Sequence, residues 1–429
     1  MIDVSEMRGV RRPALLLLAL LLGGAAPVAA QFTQYSAPGE LAIPEPPSRE
    51  GFERAMANAR WRLGPLRLDP SIWLSDLRWV EDPGRVTGVG SDITATVGAG
   101  LHAYTRIGPD VVVAARALPE YVWWKELDQL NTVNGRYGVG VFGFFSRLRF
   151  GVSAGSDRRA DYLSSEVDRL VNSRDDSGEA GFEIDLPGRM ALFGAVSAHQ
   201  FRYDDEDIFG LALAPLLFLE RDKSRVRAGV KVAVTPHLRV GIGAEASETD
   251  FVRPERDRSS SGSGPLLELA LDGARLKGQL LVLWPGLDPE PGSSFLPFDE
   301  PLGFARLTWK PRGALEWQLY ASSDLVYSVR SEYPYYRGDR VGLAARWPLG
   351  WRVTTGLFVE AGNDDYAVPP GEASFSEGRT SYGATLGVDL GRQTRLQVRV
   401  TEIDYDRGGR SNLRVEAGIS VGSGRGGWY

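Results

Sequence analysis

From Leu66 to Val421 the chain alternates apolar and polar residues with a period of two, and the alternation restarts after every turn. The clearest unit is Arg340–Gly362. Val341, Leu343, Ala345 and Trp347 fall on one parity and Arg340, Gly342, Ala344 and Arg346 on the other. Pro348-Leu349-Gly350 turns the chain, and Trp351, Val353, Thr355, Leu357 and Val359 then oppose Arg352, Thr354, Gly356, Phe358 and Glu360. Successive side chains of a strand point to opposite faces, so this is a hairpin with one apolar and one polar face.

The unit recurs until the chain holds about 18 strands (16–18), each roughly the length that crosses a bilayer. The connections alternate in length. Gly108–Asp110, Pro187–Arg189, Pro236–His237, Gly273–Ala274, Pro311–Gly313, Pro348–Gly350 and Gly391–Thr394 are short, whereas 156–177, 204–222, 252–263, 286–301, 329–337 and 363–378 are long and mostly polar. Short turns on one rim and long loops on the other are the plan of an outer-membrane barrel. A propeller has a similar spacing, but its blades repeat a sequence signature and none recurs here. The expected fold is therefore all-β: a transmembrane antiparallel up-and-down barrel over 61–429, with short periplasmic turns and long extracellular loops.

Arg8, Arg11 and Arg12 precede the apolar run Ala14–Leu22, and small residues lead to Ala29-Ala30. That is a secretory signal peptide, with cleavage expected after Ala30. Residues 31–60 form a proline-bearing leader with one short helix expected over Arg49–Arg60. It reads as a tether before the first strand; the other reading is a periplasmic contact or plug. The compartment that follows is the outer membrane of a Gram-negative bacterium.

A barrel of this strand number encloses a polar lumen. The polar parity supplies a candidate lining of Arg116, Glu120, Arg149, Arg227, Lys231, Arg239, Glu245, Arg306, Arg346, Arg352, Glu360, Arg399, Arg414 and Glu416. These charges either orient polar solutes in an open pore or pair with each other across the wall. Trp123, Trp347 and Trp351 are expected in aromatic girdles at the lipid headgroups. The apolar stretch Phe209–Leu219 is expected to extend strands above the membrane, the alternative being a constriction inside it.

Chemistry of other kinds lacks a foothold. With no cysteine there is no disulfide framework, thiolate metal site or thiol nucleophile. The three histidines His102, His199 and His237 stand at no catalytic spacing from a carboxylate or serine. The acidic pairs Asp175-Asp176 and Asp364-Asp365 and the run Asp204–Asp207 lie in the expected long loops and read as solvated loop charge, calcium binding being the other reading. Gly138-Val139-Gly140 lies within a strand, not before a helix. The net charge of −6 argues against nucleic acid. No cofactor or metal is expected. The expected partners are outer-membrane lipid and lipopolysaccharide, the barrel-assembly machinery, and a hydrophilic solute or polysaccharide.

Three segments carry a resemblance. Ser91-Asp92 through Leu101-His102-Ala103-Tyr104, Tyr121-Val122-Trp123-Trp124 with Asn134–Gly140, and Asp339-Arg340-Val341-Gly342-Leu343 resemble the outer-membrane β-barrel porin-2 family over roughly residues 60–429. The resemblance implies a barrel associated with exopolysaccharide export and brings no catalytic residues. One departure is the C-terminus, where Gly422–Gly427 interrupts the alternation before the terminal Tyr429. The function expected is a porin-like channel for hydrophilic solutes; the rival is a non-conducting structural or adhesive barrel acting through its long loops. Arg337-Gly338-Asp339 matches an adhesion tripeptide, a match three residues make by chance.

Overall fold

The computed structural model describes residues 38–39, 47–81, 91–162, 164–166, 170–203, 214–311, 314–369, 371, 373–391, 394–406 and 410–421. The signal peptide, most of the leader and the terminal Tyr429 lie outside the described residues.

Eighteen long strands run in chain order: β1 (Leu66–Glu81), β2 (Ser91–Ile107), β3 (Val111–Trp124), β4 (Thr132–Phe144), β5 (Leu148–Tyr162), β6 (Leu170–Leu186), β7 (Met190–Tyr203), β8 (Arg221–Ala233) and β9 (Leu238–Phe251), then β10 (Ser260–Asp272), β11 (Leu276–Leu283), β12 (Leu302–Trp309), β13 (Glu316–Tyr327), β14 (Tyr335–Leu349), β15 (Val353–Tyr366), β16 (Phe375–Asp389), β17 (Thr394–Tyr405) and β18 (Arg410–Val421). Each pairs antiparallel with its neighbour in sequence, and β1 pairs with β18, so the sheet closes. Closure satisfies the backbone without leaving a sheet edge, the condition for a wall that faces lipid. No helix among the described residues is long and apolar enough to cross a membrane.

The alternation sorts side chains as expected. On β14 the outward residues Val341, Leu343 and Trp347 are exposed, while inward Tyr336, Arg340 and Gly342 are buried. From Val341 to Leu349 the outward parity is apolar; above it Asp339 and Arg337 begin a polar zone. At ~3.3 Å per residue and a tilt of roughly 40°, that stretch is about 20–25 Å tall. Trp309, Trp347 and Trp351 mark its short-turn end, and Trp79, Trp123 and Trp284 the long-loop end, all exposed.

Three departures from the sequence expectation are physical in origin. First, β1 carries a bulge between Leu74 and Leu77, with Asp76 at φ 52°. The extra residue flips the parity, so Leu77 and Trp79 face outward again and Arg78 inward to Glu416 at 3.0 Å. Second, two expected loops are largely strand: the β5–β6 connection shrinks to 163–169 and the β15–β16 connection to 367–374. The ladder continues where both faces are polar, as in Asp157 opposite Asp175, and there hydropathy no longer alternates. Third, β11 and β12 are short. Above them the 284–301 loop fills the wall, with Leu287–Pro289 pairing Ser260–Gly262 of β10.

A helix, α1 (Arg49–Asn58), precedes the barrel, with Ser48 accepting from the Gly51 amide at its N-cap. Its Phe52 is fully buried against inward residues Tyr104, Val112, Ala114, Phe142 and Phe144. Arg49 donates to Asp110 and to the carbonyls of Pro109 and Phe144, so the helix sits inside the short-turn mouth.

Candidate functional site

The inner wall holds the charge. Across β5, β6, β8, β9 and β10 the strand register aligns an alternating ladder. Arg149 meets Glu183 at 2.7 Å; Lys231 lies 3.5 Å from Glu183 and 3.1 Å from Glu268. Arg227 lies 3.9 Å from Glu268 and 3.7 Å from Glu245. Arg227 and Glu245 are 6% and 4% exposed, so these charges are solvated mainly by each other. Lys231 also stands 4.7 Å from the Phe193 ring centre, beside the inward apolar group Leu266, Leu281, Leu283 and Phe304.

A second cluster lies on β13–β17. Arg340 donates two hydrogen bonds to Glu360, at 2.9 and 2.7 Å, and the Tyr320 hydroxyl donates to the same carboxylate at 2.7 Å. Gly342 leaves the space the Tyr320 ring occupies; a Cβ there would overlap it. The leader reaches this cluster. Gly39 donates its amide to Glu360 at 3.1 Å, and Arg399 donates to the Pro38 carbonyl.

The long-loop mouth is crossed from one side to the other. Ser165 and Glu166, in the β5–β6 connection, meet strands on the opposite wall of the ring. Ser165 contacts Asp364 of β15 and lies 3.1 Å from the Tyr336 hydroxyl of β14. Glu166 accepts from the Ser328 hydroxyl at 2.7 Å and the Val329 amide at 2.8 Å. Arg330 lies 3.5 Å from Glu166 and joins it to Glu377 at 3.0 Å. Burial raises the Glu166 carboxyl above its ordinary 4.5, against those hydrogen bonds and Arg330, which pull it down.

Most of the predicted lining lies on the inward parity. Arg116 and Glu120 stand on β3, Arg306 beside Gln279 at 3.0 Å, and Arg414 and Glu416 on β18. Arg239 and Arg346 take inward positions at the short-turn ends of β9 and β14 and are exposed there. Arg352 is corrected: it lies in the turn after β14, its guanidinium 3.7 Å from the Trp351 ring, so it belongs to the rim and not to the wall. Residues 350–352 form the turn and have no strand parity, so the alternation does not extend through them.

The apolar stretch is also corrected where it is described. Ala214–Leu217 is a helical turn, not a strand extension, and Leu216 and Leu219 are buried with Phe295, Phe298, Tyr203 and Tyr327 at the long-loop mouth. Residues 204–213, with Asp204–Asp207, lie outside the described residues. The acids read as solvated are paired instead: Asp175 with His199 at 3.2 Å, Asp176 with Arg174 at 2.9 Å, and Asp364 with Arg379 at 2.8 Å. Asp365 lies 3.4 Å from Arg337, within the tripeptide considered adhesive. His199 and Asp175 sit on adjacent strands, a proximity that only register reveals.

No family model and no curated protein matches the sequence. Solved structures do. A BenF-like porin from Pseudomonas fluorescens Pf-5 matches with a TM-score of 0.52 at 10% identity, over 84% of this chain and 99% of that one. The chain has the fold of a porin. OpdO from Pseudomonas aeruginosa (TM-score 0.48, 14% identity, 83% of this chain and 96% of that one) and OccAB3 from Acinetobacter baumannii (0.49, 10%, 83% and 98%) are also similar.

Proposed function

We propose that this chain is a porin-like channel of the Gram-negative outer membrane that passes hydrophilic solutes. The observation that carries the reading is the two-sided wall: charged residues inward, an apolar band outward, in one closed barrel. The outward band and its tryptophans match membrane lipid and lipopolysaccharide, and the barrel-assembly machinery would insert such a chain. The inner ladder of Arg149, Glu183, Lys231, Glu268, Arg227 and Glu245 suits solutes bearing both donors and acceptors, among them the hydroxyl-rich chain of an extracellular polysaccharide. The polysaccharide link rests on the porin-2 resemblance. The chain acts as a conduit and does no covalent chemistry.

Planar-bilayer recording of the refolded protein from residue 31 onward tests this. Discrete current steps are expected, with a reversal potential that moves toward anions in Glu183→Gln and toward cations in Lys231→Gln. A silent barrel at every voltage and in every variant would leave the structural or adhesive role.

A further inference from the structure

Pro38 and Gly39 do not belong to the barrel, yet they are held on its inner wall as a bound segment would be. The contacts read the main chain. Arg399 donates to the Pro38 carbonyl, and Glu360 accepts the Gly39 amide at 3.1 Å. Glu360 is oriented for this by Arg340 and Tyr320. Gly39 has φ +82°, and a Cβ on it would overlap the Phe358 ring. The position therefore takes glycine for two independent reasons, backbone conformation and space.

The leader has a second anchor. Phe52 of α1 fills the apolar patch formed by Tyr104, Phe142 and Phe144, on the far side of the closure seam from Phe358 and Glu360. Glu53 adds a 3.3 Å pair with inward Arg106. A nine-residue separation such as Gly39 to Ser48 reaches at most ~30 Å, enough to join two walls of one lumen.

We propose that Pro38–Gly39 of the leader is an intramolecular ligand of its own barrel: Arg340, Phe358, Glu360 and Arg399 form a subsite for a turned peptide segment, and Pro38–Gly39 occupies it and narrows the conduit. This rests on the channel reading above. Glu360 and Arg399 recognise the N–H and the carbonyl of a single peptide unit, so the subsite selects backbone, and Phe358 limits the residue that supplies the N–H to glycine. Release of the segment frees a charged, aromatic-floored step in the conduction path.

The chain contains no cysteine, so a single engineered bridge reports cleanly. In Gly39→Cys/Phe358→Cys the two side chains start from neighbouring positions, since a Cβ on Gly39 already meets the base of the Phe358 side chain, and removal of the ring leaves room for the sulfurs. The bridge is expected to form in the lipid-refolded protein, shown by a protected thiol count and by a peptide cross-link in digests. The bridged form is expected to carry several-fold less current than the same protein after reduction. Gly39→Val, which cannot seat against Phe358, should match the reduced form. Absence of the bridge, or equal currents before and after reduction, overturns the proposal. If bridged and reduced forms conduct alike, only the leader's role fails. If the Gly39→Val and reduced forms are both silent, the channel reading fails and takes this one with it.

Discussion

Glu268 touches two cations, Lys231 at 3.1 Å and Arg227 at 3.9 Å, and keeps these like charges apart on a wall that water reaches poorly. Replacing it with glutamine leaves Lys231 with Glu183 at 3.5 Å and Arg227 with Glu245 at 3.7 Å as their remaining carboxylates. The loss is therefore less than the about 3–5 kcal/mol of a fully orphaned buried charge. Glu268→Gln should lower the unfolding free energy of the lipid-folded barrel by about 1–3 kcal/mol, read from urea titrations. The rim pair Lys310–Glu316, at 2.6 Å but with Lys310 54% exposed, provides the contrast. Glu316→Gln should change stability by less than about 1 kcal/mol. The inward parity of Glu268 is legible from alternation alone. Its partners are not: Arg227 and Lys231 stand two strands away, and only register places them beside it.

Among elements, the connection between β5 and β6 reaches across the long-loop mouth through Ser165 and Glu166, and it was the least legible. Ser165 and Glu166 sit in a polar run with no motif, and their partners lie well over a hundred residues away on the opposite wall. Local pattern cannot encode a contact across a ring. The chemistry of Glu166 makes the loop titratable. Because its carboxyl is raised above 4.5, its contribution to the seated loop is fully present below pH 4.5 and fades as pH rises through the raised value. Amide exchange at Ser164–Glu166, corrected for intrinsic rates, should slow as pH falls from 7 toward 4. In Glu166→Gln that slope should vanish. Exchange that quickens on acidification would show that the pairing with Arg330 governs the loop instead. By comparison α1 was legible as a helix from Phe52, Met56 and Ala59, but its burial inside the mouth was not, since an apolar stripe does not name the surface it meets.

For the whole molecule, the two faces of the wall make opposite demands. Leu319 and Gln318 are neighbours on β13, the first 51% exposed on the outward face and the second inward. Arginine at a lipid-facing position near the midplane costs about 2–4 kcal/mol, whereas on a polar lumen wall it should cost under about 1 kcal/mol. Folding titrations into lipid vesicles should separate Leu319→Arg from Gln318→Arg by that difference. A soluble barrel would not discriminate between them this way. The strand order, the rims and the parity of nearly every strand could be read from the period of two, because membrane thickness and pleat are imposed on each hairpin alike. The exceptions are the Asp76 bulge, where one inserted residue shifts the phase, and the low wall at β11–β12, where a loop substitutes for strand.

That bulge sits in the one pairing that joins the two ends of the chain. β1 meets β18 only over Ile72–Trp79 and Val415–Val421, and the register breaks in the middle. Every other pairing of the eighteen strands closes a connection of fewer than twenty residues; this one must bring together segments separated by nearly the entire sequence, at the greatest loop entropy in the molecule. Assembly therefore has an order, with sequential hairpins first and the first strand meeting the last at the end. With its register broken between Leu74 and Leu77, that junction is expected to part first under load, which force spectroscopy on the lipid-folded barrel would read as the first rupture.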